Sequence, residues 1–387
     1  MDARDFAELF PDANTMPGQQ AQKYNRLMIQ GIAGNGIKVH AISGRPVTSG
    51  NCTKKYLRSA SRTDGNISYQ YGSVLNIRGV KNLWQMVSAY RAVMRDAKEG
   101  QTAVVCDVLN ASVAYGASVA AKRKRIPCIG IVTDLPELMV TGTRKGHVKL
   151  VRKVLLNCTG YILLTEAMND AINSDHKPYV VVEGLCDVNM KMAEKKSVGG
   201  IRKCMYAGFL DARYGVKSMV DGLLHAKVPN AELHIYGNGP YVAELKEIAD
   251  SHHEVIYHGV VMNEEVVSAE LEASILINPR PTHEEFTKFS FPSKNIEYMA
   301  SGTPVLTTKL PGMPADYYPY VFLIDDESTG GMAKTYSEVL GKTDEELFEK
   351  GMRAKQYVLA EKNNIAQAKK VICLIENQIK MRFEREV

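Results

Sequence analysis

The chain holds 387 residues, 45% of them hydrophobic and 24% charged, enough for a large core and, by length, two domains. A net charge of only +5 argues against a general nucleic-acid binder, and no apolar run reaches the roughly 18 residues that a membrane-crossing helix needs. The N-terminus carries no signal-peptide core, and seven scattered cysteines without a CxxC pair read as buried free thiols of a reducing compartment, with no metal site.

In chain order, the opening MDARDFAELFPDANTMPGQQ holds no buried strand, so the strand that ordinarily opens a doubly wound domain is absent or lies upstream. Short β-branched runs follow at 39–43, 67–71, 103–109, 128–134, 161–165 and 180–183, with longer helix-like stretches between most of them. Two basic clusters lie in this half: Lys122, Arg123, Lys124 and Arg125, then Arg144, Lys145, Lys149, Arg152 and Lys153. The polar, lysine-rich stretch 187–203 reads as a linker. A second set of strands is predicted at 204–208, 233–237, 255–258, 274–278, 304–307 and 321–324, with helices such as 217–226 and 242–249 between them. The stretch 360–385 reads as a helix carrying Ile365, Ala368, Val371, Ile372 and Ile375.

This alternation predicts an α/β protein of two Rossmann-like, doubly wound domains with parallel sheets, facing one another across a cleft. The expected division is 1–187 for the first domain, 188–203 for the linker and 204–365 for the second domain. A terminal helix, 366–387, is expected to pack back toward the first domain.

Three segments of the second half place ligand-facing groups at the carboxyl ends of strands. In KFSFPSKNIEYMASGTPVL, a loop ending at Pro292 feeds a helix for which Ser293 is the expected N-cap. Such a helix start offers amide donors and the positive end of a dipole to a phosphate, Lys294 adds a cation, and Glu297 one turn on suits a pair of ribose hydroxyls. The plain alternative is a capped surface helix with a solvated Lys and Glu. In MYAGFLDARYGV, Gly208 ends a strand where the backbone can approach a ligand, and Arg213 follows near the next helix; an exposed Arg on an ordinary strand-turn-helix explains it equally. In ELHIYGNGPY, Gly237 and Gly239 permit a tight turn and close approach of a base or its phosphates, a weaker sign because such turns are common.

The order of these segments resembles the donor-binding domain of the family 4 retaining glycosyltransferases, which have the GT-B fold; the likeness runs over 203–367 and extends less specifically into the first half through IVTDLP and YILLTEAMN. FPSK followed by EYMASG resembles members that build bacterial polysaccharides. The resemblance implies a hexosyltransferase that moves a sugar from a nucleotide diphosphate-sugar, most simply a UDP-sugar, to a glycan or lipid-linked acceptor in cell-envelope polysaccharide biosynthesis. It implies no metal and no further cofactor. It makes the first domain the acceptor side and the second the donor side, and it carries over Glu297 as the second Glu of the family's ExxxxxxxE motif, on the donor ribose. Arg213 and Lys294 become the catalytic cations on the diphosphate. The first Glu of that motif is replaced by Phe289; Glu284 or Glu285, or backbone amides around Phe291, are expected to serve instead. Retention is implied to proceed without a protein nucleophile, the leaving diphosphate helping to deprotonate the acceptor on the same face.

On the acceptor side the candidates are Gly18 in MPGQQ, Asp107 at the end of an apolar run, and Asp134 and Glu137 in TDLPE; a loop or capping role is the plain alternative for each carboxylate. Residues 142–158 combine a basic face with an apolar one, which suits peripheral contact with an anionic membrane; packing on their own sheet is the alternative. The chain is therefore expected in the cytoplasm, at the inner face of the membrane. A non-catalytic GT-B-like partner subunit that binds glycan or stabilises an active transferase is the rival reading.

Overall fold

The structure, a computed structural model, describes residues 1–10, 20–48, 50–77, 79–135, 145–189 and 200–384. The chain forms two compact units, Met1–Leu185 with Asn364–Val387, and Cys186–Asn363.

The first unit contains strands β1 (Val39–Ser43), β2 (Tyr56–Leu57), β3 (Ala60–Asp64), β4 (Ile67–Tyr71), β5 (Val74–Leu75), β6 (Val104–Asp107), β7 (Cys128–Val132), β8 (Gly160–Leu163) and β9 (Tyr179–Val181). Strands β6, β7, β8 and β9 form a parallel sheet in that order; β1 and β4 pair in parallel and β3 runs antiparallel to β4. Every residue of β7 and β8 is buried, which explains why these strands read as unbroken apolar runs: helices cover both faces of a parallel sheet. The terminal helix Asn364–Glu384 belongs to this unit, with Ala368, Val371 and Leu374 in one cluster with Leu27, Met28, Ile129, Ile131 and Ile162.

The opening segment forms a helix, Ala3–Leu9, whose first turn is capped by the Asp2 carboxylate accepting from Arg4 N at 3.0 Å. Its Phe6, with Phe10 just beyond, is buried with Ile67, Tyr69 and Tyr71. The absence of a strand pattern there thus reflects a short amphipathic helix, and among the described residues β1 is the first strand.

The second unit is built on β10 (Arg202–Phe209), β11 (Ala231–Asn238), β12 (Val255–Gly259), β13 (Ile275–Asn278), β14 (Val305–Thr308) and β15 (Phe322–Ile324). All pair in parallel, in the order β12-β11-β10-β13-β14-β15. This is the doubly wound order of dinucleotide-binding folds, and the chain reverses direction across the sheet between β10 and β13. Successive side chains fill opposite sides: Cys204 and Tyr206 of β10 join Ile275 and Ile277 in one core, while Met205 and Ala207 join Leu276 in the other. Both faces are therefore anchored, and only the strand ends are open to chemistry.

Among the described residues no helix is long and apolar enough to cross a membrane. The basic stretch 142–158 is described from residue 145, as the helix Lys145–Asn157; Val151 and Val154 are buried, whereas Lys149, Arg152, Lys153 and Leu156 are exposed.

Candidate active site

At the carboxyl edge of the second unit's sheet, the helix Ser293–Ser301 starts beside the reversal point. The structure places Pro292 at the N-cap and Ser293 as the first helical residue, without a side-chain cap hydrogen bond; proline at this point presets the helical entry, which a capping serine is not needed to do. Three contacts fix this helix to the neighbouring strands. Ala207 N of β10 donates to the Tyr298 hydroxyl at 3.1 Å, Asn278 Nδ2 of β13 donates to Asn295 Oδ1 at 2.8 Å, and Asn295 Nδ2 reaches Thr307 Oγ1 of β14 at 3.4 Å. Asn295 is fully buried, so its partners hold the helix in register where an apolar residue would merely fill space. Its first turn, with amides lacking intrahelical partners, opens at the ends of β10 and β13.

Lys294 leaves this first turn toward β10. Its ammonium donates to the Ala207 carbonyl and lies 5.9 Å from the centre of the Tyr206 ring. Burial pushes the Tyr206 phenol up to about 12, an effect that the nearby Arg280 guanidinium opposes. Arg280 follows β13 by two residues and stands over two rings, 5.0 Å from Tyr214 and 5.7 Å from Phe286. Its carbonyl is fixed by Thr308 Oγ1 at 2.6 Å, and Thr282 N binds the Glu327 carboxylate at 3.1 Å, so the turn after β13 is held at both ends.

Arg213 sits in a 3-10 turn, Ala212–Tyr214, whose N-cap is Asp211. The buried Asp211 carboxylate accepts from Arg213 N at 2.9 Å, from its Nε at 3.1 Å and from one Nη at 2.5 Å. The fork is thereby locked in one orientation while the side chain remains half exposed. These hydrogen bonds hold the Asp211 carboxyl below its ordinary range. A carboxylate depressed in the folded state stabilises the fold above its unfolded pKa and loses that contribution as pH falls through the folded value. Asp211→Asn should therefore lower stability at pH 7 by about 1 kcal/mol or less, because Arg213 faces solvent. In urea titrations the gap from wild type is expected to close as pH falls below the ordinary carboxylate range; a gap that stays constant with pH would contradict the pairing.

The glycines of the site answer to the sheet itself. A Cβ at Gly237 would lie 1.8 Å from the Gly208 carbonyl oxygen, its registered partner on β10, and one at Gly239 would lie 2.2 Å from the Leu210 carbonyl. At Gly208 the neighbours are the Tyr206 hydroxyl at 2.7 Å and Lys294 Cε at 3.2 Å. Gly215, with φ +80°, would bring a Cβ to 1.9 Å from the Pro279 carbonyl, so the start of the following helix rests directly on the end of β13.

Of the other donor-side candidates, Glu297 lies half-buried in the second turn of the same helix. Phe291 turns its side chain into the core, 5.1 Å from Tyr317. Glu285 is exposed in the 3-10 turn Glu285–Lys288, Glu284 caps that turn, and Phe289 closes it. In the first unit, Asp107 ends β6 and accepts from Asn25 Nδ2 and Leu109 N, both at 3.0 Å; burial nonetheless raises its pKa. Asp134 lies exposed beyond the end of β7, while Gly18 and Glu137 fall outside the described residues.

Residues 202–342 match the model of the family described as Glycosyl transferases group 1. The matched segment begins with β10 and holds Arg213, Arg280, Lys294 and Glu297. No curated protein matches the chain. Among solved structures, sucrose-phosphate synthase from Thermosynechococcus elongatus is similar with a TM-score of 0.67 at 14% identity, over 96% of this chain and 95% of that one. Anabaena HepE in complex with UDP gives 0.58 at 14% identity, over 83% of this chain and 87% of that one. TarM gives 0.57 at 17% identity over 75% of this chain, which spans only 58% of the TarM chain. The fold is that of the GT-B glycosyltransferases: α/β, with two Rossmann-like domains.

Two features of the matched segment carry no sequence signal of their own. Arg280 is one arginine in ILINPRP, made distinctive only by the rings that Tyr214 and Phe286 bring beneath it. Asp211 acts through Arg213, two residues away. In the first unit, Cys106, Cys128 and Cys158 converge with their Sγ atoms within 4.8 Å of one another, all buried, a cluster invisible in a sequence without a CxxC pair.

Proposed function

We propose that the protein is a retaining, metal-independent glycosyltransferase that takes a nucleotide diphosphate-sugar, with UDP as the nucleotide, and passes the sugar to a glycan or lipid-linked acceptor in cell-envelope polysaccharide synthesis at the inner face of the membrane. The observation that supports this most is the pair of cations Lys294 and Arg280 by the start of the helix Ser293–Ser301 at the reversal point of a doubly wound sheet, with Arg213 in the turn after β10. Such concentrated positive charge, added to the helix dipole, fits an anion with the span of a diphosphate.

In this reading the Lys294 ammonium, at the head of the helix, meets the diphosphate by charge-assisted hydrogen bonding. Arg213 presents a guanidinium held in orientation by Asp211, and Glu297 accepts from the ribose hydroxyls. Charge builds on the leaving diphosphate as the bond from the sugar C1 to its phosphate oxygen breaks, and the cations stabilise that charge. The acceptor oxygen forms the new bond on the same face while its proton passes to the departing phosphate. Asp107, with its raised pKa, is the acceptor-side carboxyl best placed at a strand end to orient a hydroxyl.

Incubation with UDP-glucose, UDP-galactose and UDP-N-acetylglucosamine in the presence of EDTA tests the activity. Release of UDP from one of them, slow with water and accelerated by an envelope glycan or lipid extract, is expected. Binding of UDP without any release, even with extract, would favour the non-catalytic partner, the reading to which Phe289 at the place of a donor-contacting glutamate lends weight.

A further inference from the structure

The helix Val80–Asp96 turns its small residues inward and its large ones outward. Ala89, Ala92 and Val93 are its buried residues. The neighbouring helix Ala111–Arg123 approaches so closely that a Cβ at Gly116 would lie 2.0 Å from the Met86 carbonyl oxygen. On the outer face Val80, Leu83, Trp84 and Val87 follow one another at helical spacing, each between 39% and 60% exposed. Tyr56 of β2 is 52% exposed, and β2 pairs with β5, against which this helix packs. An amphipathic helix ordinarily turns such a stripe toward the core, so this one faces something outside the unit.

Charge indicates what that is. Residues 45–96 carry nine Lys and Arg against two acidic residues, Asp64 and Asp96, a net +7 where the whole chain has +5. Lys54, Lys55, Arg58 and Arg91 are exposed around the stripe, and the Asp64 carboxylate is engaged by Arg4 at 3.2 Å. A second copy of the chain on this face would oppose like charges across a two-fold interface. The Trp84 indole N–H is already satisfied by the Ser73 carbonyl at 3.0 Å, which leaves its ring as an amphipathic anchor.

We propose that this face of the first unit seats on an anionic lipid surface. Leu83, Trp84 and Val87 enter the boundary between headgroups and acyl chains, and the surrounding lysines and arginines meet the headgroups. The inference is independent of the sugar chemistry and of the helix Lys145–Asn157.

Trp84 is the chain's one tryptophan, so intrinsic fluorescence reports on this patch alone. With vesicles of phosphatidylglycerol and phosphatidylcholine, the full chain is expected to co-sediment and its emission to shift to the blue. Both effects should weaken at high salt and be small with phosphatidylcholine alone. The double variant Leu83→Glu with Val87→Glu should reduce the bound fraction at least about tenfold while the melting temperature holds, since both positions are exposed. No co-sedimentation with anionic vesicles overturns the proposal. A blue shift that follows protein concentration without lipid assigns the face to a second copy. Binding lost through Lys149→Glu with Arg152→Glu but retained by the Leu83 and Val87 variant assigns membrane contact to the other helix.

Discussion

Lys294→Ala is expected to weaken UDP binding by about ten- to one-hundredfold, the loss of one charge-assisted hydrogen bond of about 1.5–3 kcal/mol. The ammonium sits at the head of the helix Ser293–Ser301, against the end of β10, so it acts where the helix dipole and the strand-end amides already favour negative charge. The fold should survive, because Tyr298 and Asn295 bind the same helix to β10, β13 and β14 without help from the lysine. Glu297→Ala, one turn on, should cost about tenfold through the ribose and leave inorganic diphosphate binding unchanged. Calorimetric titration separates the two roles. Unaltered UDP affinity in both variants would remove the site from this helix.

The second large effect is on stability. Gly237→Ala places a Cβ 1.8 Å from the Gly208 carbonyl oxygen, at a backbone φ of +128° that a side chain rarely adopts. Strain of about 1–3 kcal/mol from the dihedral adds to a comparable cost for forcing β11 away from β10. A total of about 3–5 kcal/mol corresponds to a fall of roughly 10 °C in melting temperature for a domain of this size. Gly36 makes the control: its φ is +85° but nothing lies within 4 Å of its Cβ position, so Gly36→Ala should show the dihedral cost alone. Equal losses at the two positions would mean that the contact with Gly208 is not tight.

The sheets were legible because β7, β8, β13 and β14 are buried throughout and read as apolar runs, while β4 alternates buried and half-buried residues. The predicted run 255–258 differs by one residue from the observed Val255–Gly259, and 39–43 and 67–71 coincide with β1 and β4. The opening helix carried no sequence signal because seven residues give too short a periodic pattern. At the site, the loop-to-helix motif around Pro292 was readable because proline and the following lysine act locally. What the glycines approach was not, since Gly237 meets the Gly208 carbonyl of β10 and Gly239 the Leu210 carbonyl just beyond it, both far earlier in the chain. Arg280 escaped notice for the same reason: its rings arrive from Tyr214, on another strand's loop, and from Phe286. The thiol cluster likewise depends on β6, β7 and the approach to β8 lying side by side, which no local spacing announces.

If the carboxyl edge of the second unit's sheet receives a nucleotide diphosphate, binding stabilises the fold. A thermal-shift titration of the purified chain with UDP, GDP and ADP measures this most directly, because a ligand that binds the folded state raises the melting temperature by mass action. A saturable rise with UDP is expected, amounting to about 2.7 kcal/mol of added stability at one hundred times the dissociation constant, together with its loss in Lys294→Ala. No rise with any of the three nucleotides, or a rise that Lys294→Ala leaves intact, would contradict it.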